Sequence, residues 1–99
     1  MKLTFLPVRM DASYVLESRG EALIIDGTEY DFAPLPEGAT LPGEAIASDW
    51  IAGDVTRREG VVHVSLILPN SADAPEAARH PAPLTITGDG PIPLPGHKD

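Results

Sequence analysis

The feature that most constrains the fold is the alternation of apolar and polar residues in WIAGDVTRREGVVHVSLIL, residues 50–68. Alternation with a period of two is typical of strands with one buried face, and the central Glu59-Gly60 is suited to a tight turn. A turn at this point sets four cross-strand pairs: Val55 with Val64, Arg57 with Val62, Gly53 with Leu66, and Ile51 with Leu68. The segment therefore predicts a long antiparallel hairpin whose apolar side chains share one face.

The opposite face of this hairpin is mixed in polarity and is either exposed to solvent or an interface. It carries Trp50, Asp54, Thr56, Arg58, Val61, His63, Ser65 and Ile67. Core packing and partner anchoring are both open for a lone tryptophan, and a Trp50 that points outward beside Ile67 is the first residue to test for binding. We therefore include Trp50, His63 and Ile67 among the candidate partner contacts.

Residues 14–32 predict a three-stranded meander with turns at Arg19-Gly20 and Asp26-Gly27. Both turns place the same side chains on one face, because the first pairs Leu16 with Leu23 and the second pairs Leu23 with Tyr30. The expected inward residues are Tyr14, Leu16, Leu23, Ile25 and Tyr30, and the expected outward residues are Glu17, Glu29 and Asp31.

The segment before the meander predicts an edge strand over Lys2–Arg9, because Pro7 lacks the N–H that an interior strand needs. The proline-rich residues 33–49 predict a connecting loop with at most one helical turn near residues 44–47. We expect the aliphatic residues of that loop to pack on the sheet, namely Leu35, Leu41 and Ile46.

After the second hairpin, Asp73 as a cap with Glu76 three residues later predicts a short helix that Pro81 ends. A short strand is expected over residues 84–87. The C-terminal GPIPLPGHKD alternates proline with apolar residues, so we expect an extended arm that contacts a partner through Ile92 and Leu94.

These elements together predict a mainly β protein. It is a small antiparallel sheet domain over residues 1–90, built from a three-stranded meander and a long β-hairpin with one short helix, followed by a proline-rich C-terminal arm or tail over residues 91–99. One small domain with 5% aromatic residues must have a thin, aliphatic core.

The composition argues against several classes of function. A formal net charge of −8, from 15 acidic and 7 basic residues, disfavours binding to nucleic acids or anionic membranes. The absence of cysteine excludes thiol catalysis and a cysteine-based zinc site. The N-terminal MKLTFLPVRMD is too short and too interrupted for a signal peptide or membrane span, so we expect the chain to remain where it is made.

No arrangement of residues predicts catalysis, a cofactor or a metal. The histidines His63, His80 and His97 show no metal-ligand spacing. His63 lies opposite Thr56 and diagonal to Asp54, an arrangement compatible with the base part of a triad or with a plain polar cluster. We favour the cluster, because Ser65 and Thr56 stand in regular strands without a nucleophile elbow. We therefore expect a non-enzymatic protein.

Several landmarks in order, YDFAPLPEGATLP, IASDWIAGDV, LILPN, APEAARHPAPL and DGPIPLP, resemble small bacteriophage and prophage tail-region proteins of Proteobacteria. The resemblance covers most of residues 30–95 and implies a part in tail structure or assembly, in the virion tail or the host cytoplasm. The expected function is a structural or binding module that contacts a larger tail protein. The alternative is an acidic inhibitor or chaperone that occupies a basic surface. Self-association into a homo-oligomer is also open.

Overall fold

The structure is a computed structural model that describes residues 1–46, 48–70 and 76–95. Its helical segments are a 3-10 turn at Gly43–Ala45 and the helix α1 at Glu76–Arg79. Its strands are β1 (Lys2–Arg9), β2 (Leu16–Arg19), β3 (Ala22–Ile25), β4 (Thr28–Asp31), β5 (Thr40–Leu41), β6 (Val55–Arg58), β7 (Val61–Asn70), β8 (Leu84–Thr85) and β9 (Gly90–Ile92). The mainly β fold that the sequence predicts is confirmed.

The strands form two sheets. The first sheet has the order β5-β6-β7-β1-β8, and the second has the order β4-β3-β2-β9. All pairings are antiparallel except that of β1 with β7, which runs parallel from Lys2 opposite His63 to Arg9 opposite Asn70. The parallel pair was not expected from the sequence. It is possible because the chain makes the whole meander and the strands β5 and β6 before it returns beside β1, which supplies the long crossover that parallel strands need.

Both sheets bury their inner faces in one hydrophobic core. The strand β7 contributes most regularly, because alternate residues along it are almost fully buried: Val62, Val64, Leu66 and Leu68. The first sheet adds Leu3, Phe5 and Val55, and the second sheet adds Leu16, Leu23 and Ile25. The core is therefore aliphatic for the most part, as the low aromatic content predicts.

A single arginine links the two sheets at the rim of this core. The guanidinium of Arg57 in β6 donates to the Leu35 carbonyl at 2.6 Å and to the Phe32 carbonyl at 3.1 Å. It also donates to the Glu21 carboxylate at 2.7 Å, in the turn between β2 and β3. Phe32 and Leu35 follow β4, and Glu21 lies in the turn that joins β2 to β3. The Arg57 side chain therefore connects the first sheet to the second.

The register of the second hairpin is confirmed near the turn and wrong further out. Arg57 lies opposite Val62, and Thr56 lies opposite His63, as the turn at Glu59-Gly60 predicts. Ile51, however, pairs with Leu66 instead of Leu68. Two additional residues are accommodated before β6, where Gly53 has a φ of +78°. Since the displacement is by two residues, Ile51 keeps its inward orientation.

A close contact between two glycines accompanies this displacement. A Cβ atom on Gly43 would lie 2.5 Å from the Gly53 carbonyl oxygen, so the 3-10 turn presses directly on the backbone before β6. The Gly43 N–H donates to the Asp54 carboxylate at 2.9 Å and holds the two segments together. The alternation of apolar and polar residues in the hairpin does not predict this contact.

The meander is confirmed, but its first turn is displaced. Leu23 pairs with Tyr30, as the Asp26-Gly27 turn predicts. Leu16 pairs with Ile25 instead of Leu23, so the first turn is Gly20-Glu21 and not Arg19-Gly20. In this first turn, Gly20 has a positive φ of +60° and Glu21 does not. This is the pattern of a type II′ turn with glycine in the first central position.

The expected edge strand over Lys2–Arg9 is correct for only part of its length. β1 lies between β7 and β8, but β8 pairs only with Lys2 and Leu3. The Met10 N–H donates to the Asn70 carbonyl, so even-numbered residues direct their backbone groups toward β7 and Pro7 directs its own away. The missing proline donor therefore lies on the unpaired side of the strand, where it costs no ladder bond.

The loop and helix expectations are largely met. The 3-10 turn at Gly43–Ala45 overlaps the expected helical region and begins one residue before it. The three expected loop residues pack against the core: Leu35, Leu41 and Ile46. The helix α1 begins at Glu76 and ends before Pro81. Asp73, the expected cap, and residues 96–99 of the expected tail lie outside the described residues.

The expectation of a separate C-terminal arm is wrong for its described part. β9 pairs with β2 as the edge of the second sheet, with Ile92 opposite Leu16. Ile92 and Leu94 are each 6% exposed and belong to the core cluster. The prolines are compatible with this position because an edge strand needs ladder donors on one side only. The β domain therefore extends to at least residue 95.

We predict that Val64→Asp is severely destabilising, because it places an unpaired carboxylate at a position that is 1% exposed. The expected loss is about 3–5 kcal/mol in the free energy of unfolding, measured by denaturant titration. Val61→Asp, on the same strand at a position 36% exposed, is the matched control and is expected to cost less than about 1 kcal/mol. Equal losses in the two variants would contradict the burial pattern of β7.

We predict that Leu94→Ala lowers the free energy of unfolding by about 2–4 kcal/mol, because it leaves a cavity in the core. Ile92→Ala should behave alike. The control is Pro93→Ala, between the two buried residues but itself exposed, which should change stability much less. Thermal or denaturant unfolding of the three variants measures this. An unchanged Leu94→Ala protein would restore the interpretation of residues 91–95 as an arm that does not contribute to the fold.

Candidate binding face

The face of the first sheet that points away from the core is the candidate functional surface, here called the outer face. It carries the even-numbered residues of β1 and the odd-numbered residues of β7, because inward Leu3 and Phe5 alternate with them along β1. Cross-strand partners on this face change in character along the strands. Lys2 lies beside His63, Thr4 beside Ser65 and Leu6 beside Ile67. The outer face is therefore polar and basic at one end and apolar at the other.

The apolar end consists of three exposed side chains at alternate positions of β1 and the residue that follows it. Leu6 is 45% exposed, Val8 is 40% exposed and Met10 is 39% exposed. Here they are called the apolar row. They stand where β1 has no described strand on its second side. A contiguous row of large apolar side chains beside an unpaired edge is typical of a protein interaction surface.

The polar end contains a shallow groove of about 400 Å³. Its lining residues are Lys2, Arg58, Glu59, Val61, His63 and Thr85. One straight row across four strands positions most of its polar groups, since Thr56 lies opposite His63, His63 opposite Lys2, and Lys2 opposite Thr85. The spacing of neighbouring strands, about 4.8 Å, brings these side chains within reach of a single small group.

Electrostatics in the groove are dominated by cations. Burial lowers the pKa of His63, and the positive charges of Arg58, Lys2 and the Met1 amino group lower it further. Glu59 raises the same pKa, but its effect is the smallest. The neighbouring cations therefore favour the neutral form of the imidazole, and their positive potential favours a bound anion.

Trp50 lies at the apolar end and is half-buried. Its carbonyl accepts the Ile67 N–H at 2.8 Å, which places it beside Ile67 in the sheet. Its ring packs on Tyr14 with a centroid distance of 4.7 Å and an interplanar angle of 32°. The Tyr14 hydroxyl donates to the Ile67 carbonyl at 2.9 Å, and burial raises the pKa of this phenol. Trp50 thus packs on Tyr14, which is itself hydrogen-bonded to β7, and part of the Trp50 surface remains accessible.

The structure places the five expected contact residues in different environments. His63 and Ile67 lie on the outer face, at its polar and apolar ends, whereas the Trp50 side chain packs against the core beside Tyr14. All three residues are half-buried. Ile92 and Leu94 do not join them, because both are buried in the core. The sequence analysis missed the apolar row, although the signal was present: Leu3 and Phe5 occupy one face of β1, so Leu6, Val8 and Met10 must lie on the other.

The Asp54 carboxylate, which the hairpin register predicts to lie diagonal to His63, accepts the Gly43 N–H at 2.9 Å. Among residues 1–46, 48–70 and 76–95, no cluster of three or more histidine and acidic side chains has a geometry that could hold a metal ion. In the same part of the chain, no helix has the length and apolar character needed to cross a membrane.

Comparison with known proteins adds no assignment: no protein-family model, curated protein or solved structure matches this chain.

We predict that His63 makes folding stability depend on pH. Since its pKa is lowered in the folded protein, its contribution is present above the ordinary histidine pKa of about 6.5 and is lost as pH falls through the folded-state pKa. Denaturant unfolding between about pH 7 and pH 5 measures this. The His63→Gln control should lose less stability over that interval than the natural protein. Equal losses would contradict a lowered pKa.

Proposed function

We propose that the protein is a non-catalytic structural or binding module of a phage tail, acting in the virion tail or during tail assembly in the host cytoplasm. Two observations support the proposal. The order of landmarks over residues 30–95 resembles small tail-region proteins of phages and prophages. The outer face carries an apolar row along an unpaired strand edge, which gives a larger tail protein a place to bind.

The apolar row is the observation that carries the binding role. A small domain with a thin aliphatic core gains from burying every large side chain, yet three such side chains remain 39–45% exposed along β1 and the residue after it. Burying them against a partner would contribute about 25 cal/mol for each Å² of apolar area removed from water. Ile67, which lies opposite Leu6, extends the same apolar surface onto β7.

At Pro7, a partner would contact side chains more readily than the backbone edge of β1. Pro7 offers a carbonyl but no N–H on the unpaired side of β1, so a strand added there would lack one ladder bond. Phe5 and Arg9, which flank it, keep both backbone groups on that side by alternation. Docking would therefore combine burial of the apolar row with hydrogen bonds on either side of Pro7.

The second candidate function is an acidic inhibitor or chaperone that occupies a basic surface of another protein. Its support is the outward face of the second sheet, where Glu17 and Glu29 flank Ile24 across neighbouring strands. Asp31 is also exposed, at the end of β4. Binding through this face would weaken steeply with salt, because charge interactions are screened over about 8 Å at physiological ionic strength.

We predict that a Leu6→Ser, Val8→Ser, Met10→Ser triple variant folds normally but is not incorporated into tails. Tagged protein would be expressed in bacteria that carry the phage, and purified virions and tail intermediates would be assayed for it. The natural protein should be present, and the triple variant reduced at least about tenfold, since each lost apolar contact weakens binding.

The control for this experiment is Val15→Ser, which removes an apolar side chain that is 63% exposed and lies outside the outer face. It should be incorporated like the natural protein, and thermal unfolding should show that all variants remain folded. Absence of the natural protein from both virions and tail intermediates would reject the tail proposal. Equal incorporation of the triple variant would reject the apolar row as the docking surface.

A further inference from the structure

We propose that the groove at the basic end of the outer face binds a single carboxylate group. The site is separate from the apolar row and nothing in the proposed tail function requires it. Lys2, Arg58 and His63 supply nitrogen donors and Thr85 supplies a hydroxyl, all on the lining of one groove of about 400 Å³. The ordered row of His63, Lys2 and Thr85 across β7, β1 and β8 sets their spacing.

The two cations of the groove form no ion pair among the described residues. In that part of the chain the ion pair found joins Arg57 to Glu21, and neither Lys2 nor Arg58 takes part in one. This is notable in a chain with 15 acidic and 7 basic residues, where carboxylates are plentiful. Two unpaired cations on either side of a half-buried histidine leave a positive potential that an external anion can satisfy.

The charge of the lining favours a carboxylate over a phosphate. With His63 neutral, the residues that line the groove carry one net positive charge, because Lys2 and Arg58 are opposed by Glu59. The Met1 amino group is not part of this lining and donates to the Ile86 carbonyl at 3.1 Å. A monovalent carboxylate balances this charge, whereas a divalent phosphate would exceed it and would be repelled by Glu59. A polyanion is disfavoured more strongly, because the protein as a whole carries a charge of −8.

Binding of the carboxylate and protonation of His63 should strengthen each other. The charged groups that act on His63 are Arg58 of β6, Glu59 of the turn, Lys2 of β1 and the amino group of Met1, which precedes β1. Thr85 of β8 is uncharged. A bound anion offsets the cations that suppress protonation, so it raises the pKa of His63. By linkage, affinity for the anion must increase as pH falls through the histidine range.

The test is an NMR titration of the intact protein with sodium acetate, with sodium chloride at equal ionic strength as reference. We expect the His63 ring signals to shift saturably with acetate only, the pKa of His63 to rise, and the affinity to increase between about pH 7.5 and about pH 6. Lys2→Gln and Arg58→Gln should each weaken acetate binding about tenfold, as expected for loss of a charged hydrogen-bond donor.

Arg19→Gln is the matched control, because it removes an exposed arginine from β2 in the second sheet and should leave acetate affinity unchanged. Identical shifts with acetate and chloride would overturn the proposal, as would an equal loss in Arg19→Gln. Tighter binding of phosphate than of acetate at neutral pH would overturn the choice of a carboxylate. These outcomes do not depend on the fate of the protein in virions.

Two further probes distinguish the source of the carboxylate. N-acetyl-aspartate N-methylamide imitates an acidic side chain of a protein, and succinate imitates a free small dicarboxylate. Binding of the blocked aspartate at least as tightly as acetate supports a protein side chain as the ligand. Markedly tighter binding of succinate supports a small molecule, and no saturable binding of any of the three probes rejects the site.

Discussion

The structure depends above all on the burial of one side of β7. Val62, Val64, Leu66 and Leu68 are at most 1% exposed, and the strand that carries them is bounded by β6 on one side and β1 on the other. A strand buried on one face and paired on both edges has its register strongly specified, because a shift of one residue would expose all four side chains. The positions of Lys2, His63 and Thr56 on the outer face follow from the same register.

The second sheet completes the core that β7 begins. Leu16, Leu23 and Ile25 cover the inner face of the first sheet, and β9 closes the edge of the second sheet with Ile92. Arg57 fixes the rim between the sheets by donating to two carbonyls and to Glu21, and its guanidinium holds the pKa of the Glu21 carboxyl below its usual range. The hydrogen bond is the main cause of that shift, and Coulomb attraction adds to it.

The same register gives the molecule two chemically different outward surfaces. The outer face of the first sheet passes from the basic groove around His63 to the apolar row around Val8, whereas the second sheet presents acidic side chains such as Glu17 and Glu29. A protein with a net charge of −8 thus places Lys2 and Arg58, which form no ion pair among the described residues, at the end of the outer face opposite to the apolar row. Both proposals for function rest on this separation of charge and hydrophobic area.

The sequence by itself determined the mainly β character, the hairpin turn at Glu59-Gly60 and the alternation that divides inward from outward side chains, because these are local properties of neighbouring residues. Only the tertiary structure decided that β1 runs parallel to β7, which brings Lys2 beside His63 although the two residues are far apart in the sequence. It likewise decided that Ile92 and Leu94 fill the core, because strand pairing between distant segments depends on which edges remain open after the rest has packed.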